Sequence, residues 1–216
     1  MAFREIEFDT WPRRERFGHY LYTSPCSYSM TAEVDITALR ARLRDRGCKL
    51  YPATAYMLAA IVNRHDELRT TTVGGVAGIY DVLHPSYTVF DASRETFSCV
   101  WTPYDSDFTA FHARMTDDIA CWGDTGRLFP QEEQPENVFN LSAVPWTHFS
   151  GFQLNLDPGS GYLLPIFTTG RPREKEGRIM MPFAVQAHHA VCDGFHVARI
   201  FEEVQQLANH AEEWIL

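Results

Sequence analysis

The chain has 216 residues, 45% of them hydrophobic, which suits one domain with a good core over residues 1–216. Its 28 acidic residues outnumber 19 basic ones and leave a net charge of −9, which argues against a general nucleic-acid surface. No apolar run approaches the ~20 residues of a membrane span, and Met1-Ala2-Phe3-Arg4-Glu5 runs into charged and aromatic residues, unlike a signal peptide.

The five cysteines, Cys26, Cys48, Cys99, Cys121 and Cys192, show no paired spacing. They read as free thiols in a reducing cytoplasm. In chain order, Trp11 to Phe17 is basic and aromatic and reads as a solvated surface turn. Asp35 is an N-cap for a helix over Ile36 to Arg46, with Gly47 as its stop. Pro52 opens a second helix, Ala53 to Asn63, apolar on nearly all sides and therefore buried. Short β-rich runs follow at Leu68–Val73, Val76–Tyr80, Tyr87–Asp91 and Thr96–Trp101. Gly74-Gly75 connects two of them as a hairpin; it lacks the Lys and the following helix of a phosphate loop. Asp107 to Cys121 is a third helix. Phe139–Ser142, His148–Leu156, Tyr162–Thr169 and Ile179–His188 read as four more strands, and a last helix runs from Gly194 to about His210. This mix predicts an α+β or mixed α/β domain.

Chemistry concentrates in Gln186-Ala187-His188-His189-Ala190-Val191-Cys192-Asp193-Gly194-Phe195-His196. It joins an apolar strand to an amphipathic helix through a turn at Asp193-Gly194. A strand-to-helix turn sits at an element edge, where a scaffold presents side chains to a ligand. Histidine suits general-base work because its ordinary pKa lies near neutrality. Other readings stand beside that one. The two histidines are ordinary strand residues, one in and one out. His189, Asp193 and His196 are metal ligands. Cys192 is a thiol nucleophile paired with His189. A second candidate is Asn140-Leu141-Ser142-Ala143-Val144-Pro145-Trp146. Ser142 has no nucleophile elbow, and by itself reads as a backbone capper.

The string His188-His189-Ala190-Val191-Cys192-Asp193-Gly194-Phe195-His196 resembles the active-site signature of the coenzyme-A-dependent acyltransferases of the chloramphenicol acetyltransferase family. Trp11-x-Arg13-Arg14-Glu15-x-Phe17 resembles that family's opening motif, although Arg16 stands where a His is usual. Ser142, Pro145 and Trp146 match its Ser-x-x-Pro-Trp. Tyr51-Pro52, Asp66-Glu67-Leu68-Arg69, His84 to Phe90 and Glu95 to Ser98 look familiar in order and spacing, so the resemblance runs from about Phe8 to the last helix.

The resemblance implies a two-layer α+β sandwich, a mixed β-sheet packed by helices on one face. It implies transfer of the acetyl group of acetyl-CoA to a primary hydroxyl of chloramphenicol, which confers antibiotic resistance. His189 would be the general base and Ser142 the oxyanion donor. Arg13 would pair with Asp193 to hold the turn, and Thr168 would position a water. Tyr20 would hydrogen-bond the acceptor. Tyr28, Phe97, Phe129, Phe152, Leu154 and Ile166 would wall its pocket, and the Tyr28 hydroxyl would need a partner if buried. Trp146 would flank the cofactor tunnel. The basic segment Arg171 to Lys175 reads as a solvated hairpin, with contact to cofactor phosphates as its alternative. A homotrimer with interface sites, no metal and a cytoplasmic location complete the expectation. The other functional readings are an O-acetyltransferase for another small hydroxyl compound and a non-catalytic binding protein on the same scaffold.

Overall fold

The computed structural model of the protein describes residues 2–156 and 160–216. The strands are β1 (Phe3–Glu5), β2 (Ser27–Asp35), β3 (Thr70–Val73), β4 (Val76–Tyr80), β5 (His84–Asp91), β6 (Thr96–Trp101), β7 (Val138–Val144), β8 (Ile166–Gly170), β9 (Arg173–Lys175) and β10 (Arg178–His188). The helices are α1 (Arg14–Gly18), α2 (Thr37–Arg46), α3 (Leu50–Arg64), α4 (Phe108–Trp122) and α5 (Gly194–Asn209).

Seven strands form the main sheet in the order β2-β10-β8-β7-β5-β6, with β9 paired to the start of β10. β7 runs parallel to β5 and to β8, and the remaining ladders are antiparallel, so the sheet is mixed. A small sheet, β1-β4-β3, stands apart from it. The architecture is the expected mixed sheet with a helical layer.

Alternation along β10 shows how the layers form. Met181, Phe183, Val185 and Ala187 enter the core cluster with the helices. Ala184, Gln186 and His188 point the other way, and they are buried too. Burial on both faces gives β10 its near-continuous apolar run. Residues 147–156 and 160–165 contribute to covering that second face. The Phe152 N–H donates to Thr31 Oγ1 at 3.3 Å, the Leu154 N–H to Gln186 Oε1 at 3.0 Å, and Asn140 Nδ2 to Tyr162 Oη at 2.7 Å.

These contacts correct two expectations. His148–Leu156 is not a strand, and of Tyr162–Thr169 only the end from Ile166 is one. Their alternating apolar residues lie against a sheet face instead of joining a ladder. Leu68–Val73 is also shorter than expected, because Asp66–Leu68 makes a 3₁₀ turn first. Three elements went unpredicted. β1 pairs with β4. β2 pairs with β10 over nine residues, and its Tyr28-x-Met30-x-Ala32-x-Val34 alternation was readable. The segment expected to be a surface turn contains α1, followed by a π-helical turn at His19–Thr23, and α1 buries Phe17 completely.

Helix boundaries follow local chemistry. Asp35 Oδ1 accepts from the Thr37 N–H and hydroxyl at the start of α2, and Gly47 ends it in the left-handed region at φ 67°. Asp107 caps α4 by accepting from the Ala110 N–H. Gly74 and Gly75, at φ 58° and 83°, form the β3–β4 hairpin turn, where two successive positive φ values favour glycine.

Phe183 stacks on Phe167, with ring centroids 5.9 Å apart, and meets Phe201 of α5 edge-on. It joins strand to strand and sheet to helix. Phe183→Ala is expected to cost about 3–5 kcal/mol in denaturant unfolding. A loss under about 1 kcal/mol would show that the two layers do not depend on it.

Candidate active site

β10 ends at His188, and the turn that follows is held by one arginine. Arg13 lies just before α1. Its Nε donates to the Ala190 carbonyl at 2.7 Å and its Nη2 to the His189 carbonyl at 2.9 Å. Its two Nη groups donate to the two Asp193 carboxylate oxygens at 2.8 and 2.7 Å. A planar fork meets a planar carboxylate and two carbonyls at once, which an ammonium cannot do. The Arg13 guanidinium, through these hydrogen bonds, holds the Asp193 carboxyl below the usual carboxylate range.

His189 is partly buried beside this clasp. Its Nδ1 lies 3.2 Å from the Cys192 carbonyl and 3.2 Å from Asp193 Oδ1. Both neighbours are acceptors, so Nδ1 carries the proton in the neutral ring and Nε2 keeps its lone pair. Tyr20 stacks flat on the imidazole, with centroids 4.0 Å apart and planes 14° apart. Tyr28 meets it edge-on at 5.5 Å, and the Tyr28 hydroxyl finds its partner in the Cys192 carbonyl at 3.3 Å. Burial pushes the Tyr28 phenol well above its ordinary value, so it stays protonated.

The competing readings of this turn fare differently. Cys192 is buried, its thiol is pushed up to about 12 chiefly by desolvation, and its Sγ faces the Glu67 carbonyl. A protonated thiol in that setting is a poor nucleophile. His196 Nδ1 accepts the Asp193 N–H at 2.8 Å. That contact spends a ring nitrogen on the start of α5 and leaves His189, Asp193 and His196 unconverged as a metal site. His188 points inward and His189 outward, as strand alternation requires, and His188 Nδ1 accepts the Ala190 N–H at 3.2 Å.

Ser142 lies elsewhere, on β7. It lines an apolar cleft of about 510 Å³ with Tyr51, Thr88, Phe90, Phe97 and Trp146. Its Oγ is 3.3 Å from Thr88 Oγ1. The Tyr51 hydroxyl donates to the Thr88 carbonyl at 3.1 Å and so fixes the strand that carries Thr88. Phe90 packs edge-on against Trp146 at 4.6 Å. Tyr51, Thr88 and Phe90 were not singled out as site residues, although Thr88 and Phe90 alternate on β5 with buried Tyr87.

The remaining expected residues form a third group. Phe152, Leu154, Ile166 and Thr168 surround a void of about 10 Å³ with Ser29 and Gln186. Thr168 is buried and is the register partner of both Ser142 on β7 and Ala184 on β10. Phe129 stands about half exposed and lines none of these cavities. In the basic segment, Arg173 and Lys175 both reach Glu33 at 3.0 Å, and β9 turns into β10 as the expected hairpin.

These groups do not meet within one chain. Ser142 pairs with Thr168 and Thr168 with Ala184, while His189 lies five residues beyond Ala184. Strand spacing and rise put His189 and Ser142 about 20 Å apart.

Two outcomes test this arrangement. Arg13→Lys keeps the charge and loses the fork, and is expected to destabilise the protein by about 1–3 kcal/mol, read as a lower unfolding midpoint; an unchanged midpoint would show that the clasp holds nothing. Acid is the second probe. His84, His112, His188 and His196 each accept a backbone N–H through a neutral nitrogen, and burial lowers each pKa. Their unfolded forms bind protons first, so their stability contribution is complete above the ordinary histidine range and is lost as pH falls below about 6.5. The midpoint at pH 5.5 is expected below that at pH 7.5, and equal midpoints would contradict the four contacts.

A family model described as chloramphenicol acetyltransferase matches residues 1–205. A chloramphenicol acetyltransferase of Clostridium perfringens is 47% identical over 210 residues, covering 97% of this chain and 100% of the relative. One of Clostridioides difficile is 48% identical over 208 residues, with 96% of each covered. A solved chloramphenicol acetyltransferase superposes with a TM-score of 0.87 at 23% identity, covering 96% of this chain and 100% of the other. The dihydrolipoamide acetyltransferase of Azotobacter vinelandii shares the fold alone, with a TM-score of 0.69 at 13% identity, covering 92% and 87% of the two chains. By sequence along nearly its whole length, the chain belongs to the chloramphenicol acetyltransferase family.

Proposed function

We propose that the protein transfers the acetyl group of acetyl-CoA to a primary hydroxyl of chloramphenicol, which would inactivate the antibiotic. The observation that carries the mechanism is the orientation of His189. Its Nδ1 faces two acceptors and its Nε2 keeps a lone pair, as a general base requires. Nε2 takes the hydroxyl proton as the oxygen attacks the thioester carbonyl. The tetrahedral oxyanion accepts a hydrogen bond from Ser142, which Thr88 orients. The intermediate collapses by breaking the C–S bond, and the imidazolium returns its proton to the leaving thiolate. The products are the acetyl ester and free CoA. No acyl-enzyme and no metal is called for. Tyr20, by stacking on the ring, positions the base in addition to facing the acceptor.

The roughly 20 Å between His189 and Ser142 supports a homotrimer in which one copy supplies the base and its neighbour the oxyanion donor. The exposure of Phe97 and Trp146, which line the same cleft, supports the same reading, since an apolar wall left open in one chain can be closed by another. Residues 1–216 act as one domain. A cytoplasmic location fits five free cysteines, and no helix among the described residues is long and apolar enough to cross a membrane.

The test is CoA-thiol release from acetyl-CoA with chloramphenicol. His189→Ala is expected to lose at least about 10²–10⁴-fold in rate and Ser142→Ala about 10²–10³-fold. Thiol release with other alcohols but not with chloramphenicol would replace the acceptor, and binding without release would leave a binding protein. A rate that stays flat from about pH 5 to 8 would contradict a titrating base. The mass in solution is expected near three chains; a fully active monomer would refute the shared site.

A further inference from the structure

The face of β10 shared by Ala184, Gln186 and His188 is buried, yet it carries an amide at its middle. Gln186 stands opposite Ser29 of β2 and Ile166 of β8. Burying an amide costs free energy unless its polar atoms find partners, and a leucine there would avoid that cost. Ser29 gives little in return, because its Oγ lies 3.4 Å from Gln186 Oε1, at the long end of the hydrogen-bond range. The better contact is with the segment that covers the sheet. The Leu154 N–H donates to Gln186 Oε1 at 3.0 Å. Thr31, two residues along β2 from Ser29, accepts the Phe152 N–H at 3.3 Å.

Residues 149–156 depend on these side chains. Among the described residues they make no backbone–backbone hydrogen bond, so no ladder or helix sets their place over the sheet. The Phe149 and Phe152 rings pack 5.4 Å apart, but apolar packing is non-directional and lets a segment slide. Bonds to alternate N–H groups, those of Phe152 and Leu154, fix its register. Phe152 and Leu154 surround the small void with Ile166 and Thr168. Thr168 is in turn the ladder partner of Ser142. A slide of the segment would therefore move both side chains relative to Thr168 and Ser142.

We propose that Gln186 is a positioning residue for the acceptor: its Oε1 sets the register of Phe152-Gln153-Leu154 on the sheet, and with it the wall they present to chloramphenicol. This deepens the acceptor reading and rests on it. The buried amide gives up stability for a fixed wall.

The experiment is Gln186→Leu, which keeps volume and removes the acceptor atom. Leaving the Leu154 N–H without a partner is expected to raise the KM for chloramphenicol about tenfold. The KM for acetyl-CoA and the kcat at saturation are expected to stay within about twofold, whereas a loss of folded enzyme lowers kcat and leaves both KM values alone. Thr31→Val removes the other acceptor from an edge strand and is expected to raise the same KM, so the test survives if Gln186→Leu fails to fold. Hydrogen exchange at the Leu154 N–H is expected to speed up in Gln186→Leu while the β8–β10 ladder stays protected. An unchanged chloramphenicol KM, an equal rise in both KM values, or unchanged exchange at Leu154 overturns the proposal. A wild type that acetylates no chloramphenicol sinks the acceptor reading instead, and the exchange measurement alone then decides whether Gln186 holds the segment.

Discussion

The clasp of Arg13 on the turn after β10 sets the conditions for the rest of the site. One side chain makes four hydrogen bonds to three residues about 180 positions away in the chain. Those bonds fix Asp193, and with the Cys192 carbonyl Asp193 fixes which nitrogen of His189 holds the proton. The tautomer is thus set by backbone and ion-pair geometry before any substrate arrives. Tyr20 and Tyr28 then limit how the ring can tilt. His196 secures the same turn from the α5 side. Each of these contacts is modest by itself, but they share atoms, so the loss of one loosens the others.

The sheet explains why His189 and Ser142 belong to different regions. β10 lies one strand in from the β2 edge of the sheet, and the turn after it carries His189 past its end. β7 carries Ser142 two strands away, at a level five residues short of His189. No rotamer spans that gap. A rigid sheet holds each group in place and keeps the two apart. Phe97 and Trp146 stay about half exposed in the cleft that Ser142 lines.

Much of this was legible in the residues. The spacing of Asp35 and Gly47 marked α2, Asp107 marked α4, and β4 and β6 were bounded as expected. The His-His-x-x-x-Asp-Gly string marked the turn, and its likeness to a known family supplied Arg13 as the partner. Other features were misread for physical reasons. Residues 148–156 alternate like a strand because they lie on a sheet face, and alternation alone does not distinguish a ladder from a cover. The charge of Trp11 to Phe17 suggested an exposed turn, while Phe17 is buried and Arg13 is mostly covered by the residues it binds. Tyr51 and Phe90, though part of segments that matched the family, were given no site role, because strand and helix positions that line a cleft look like any other apolar position until the cleft exists.

Sequence by itself determined what is local or chemically distinctive: the caps of α2 and α4, the glycine turn, and the histidine-bearing turn between β10 and α5. Those features depend on neighbouring residues and on functional groups, which a string of letters records. Tertiary structure decided what depends on distant residues meeting. It chose the tautomer of His189, buried the Cys192 thiol, opened a cleft between β7 and α3, and held Ser142 about 20 Å from His189. Such outcomes depend on strand order and register, because a side chain's neighbours across a sheet are set by pairing and not by position in the chain.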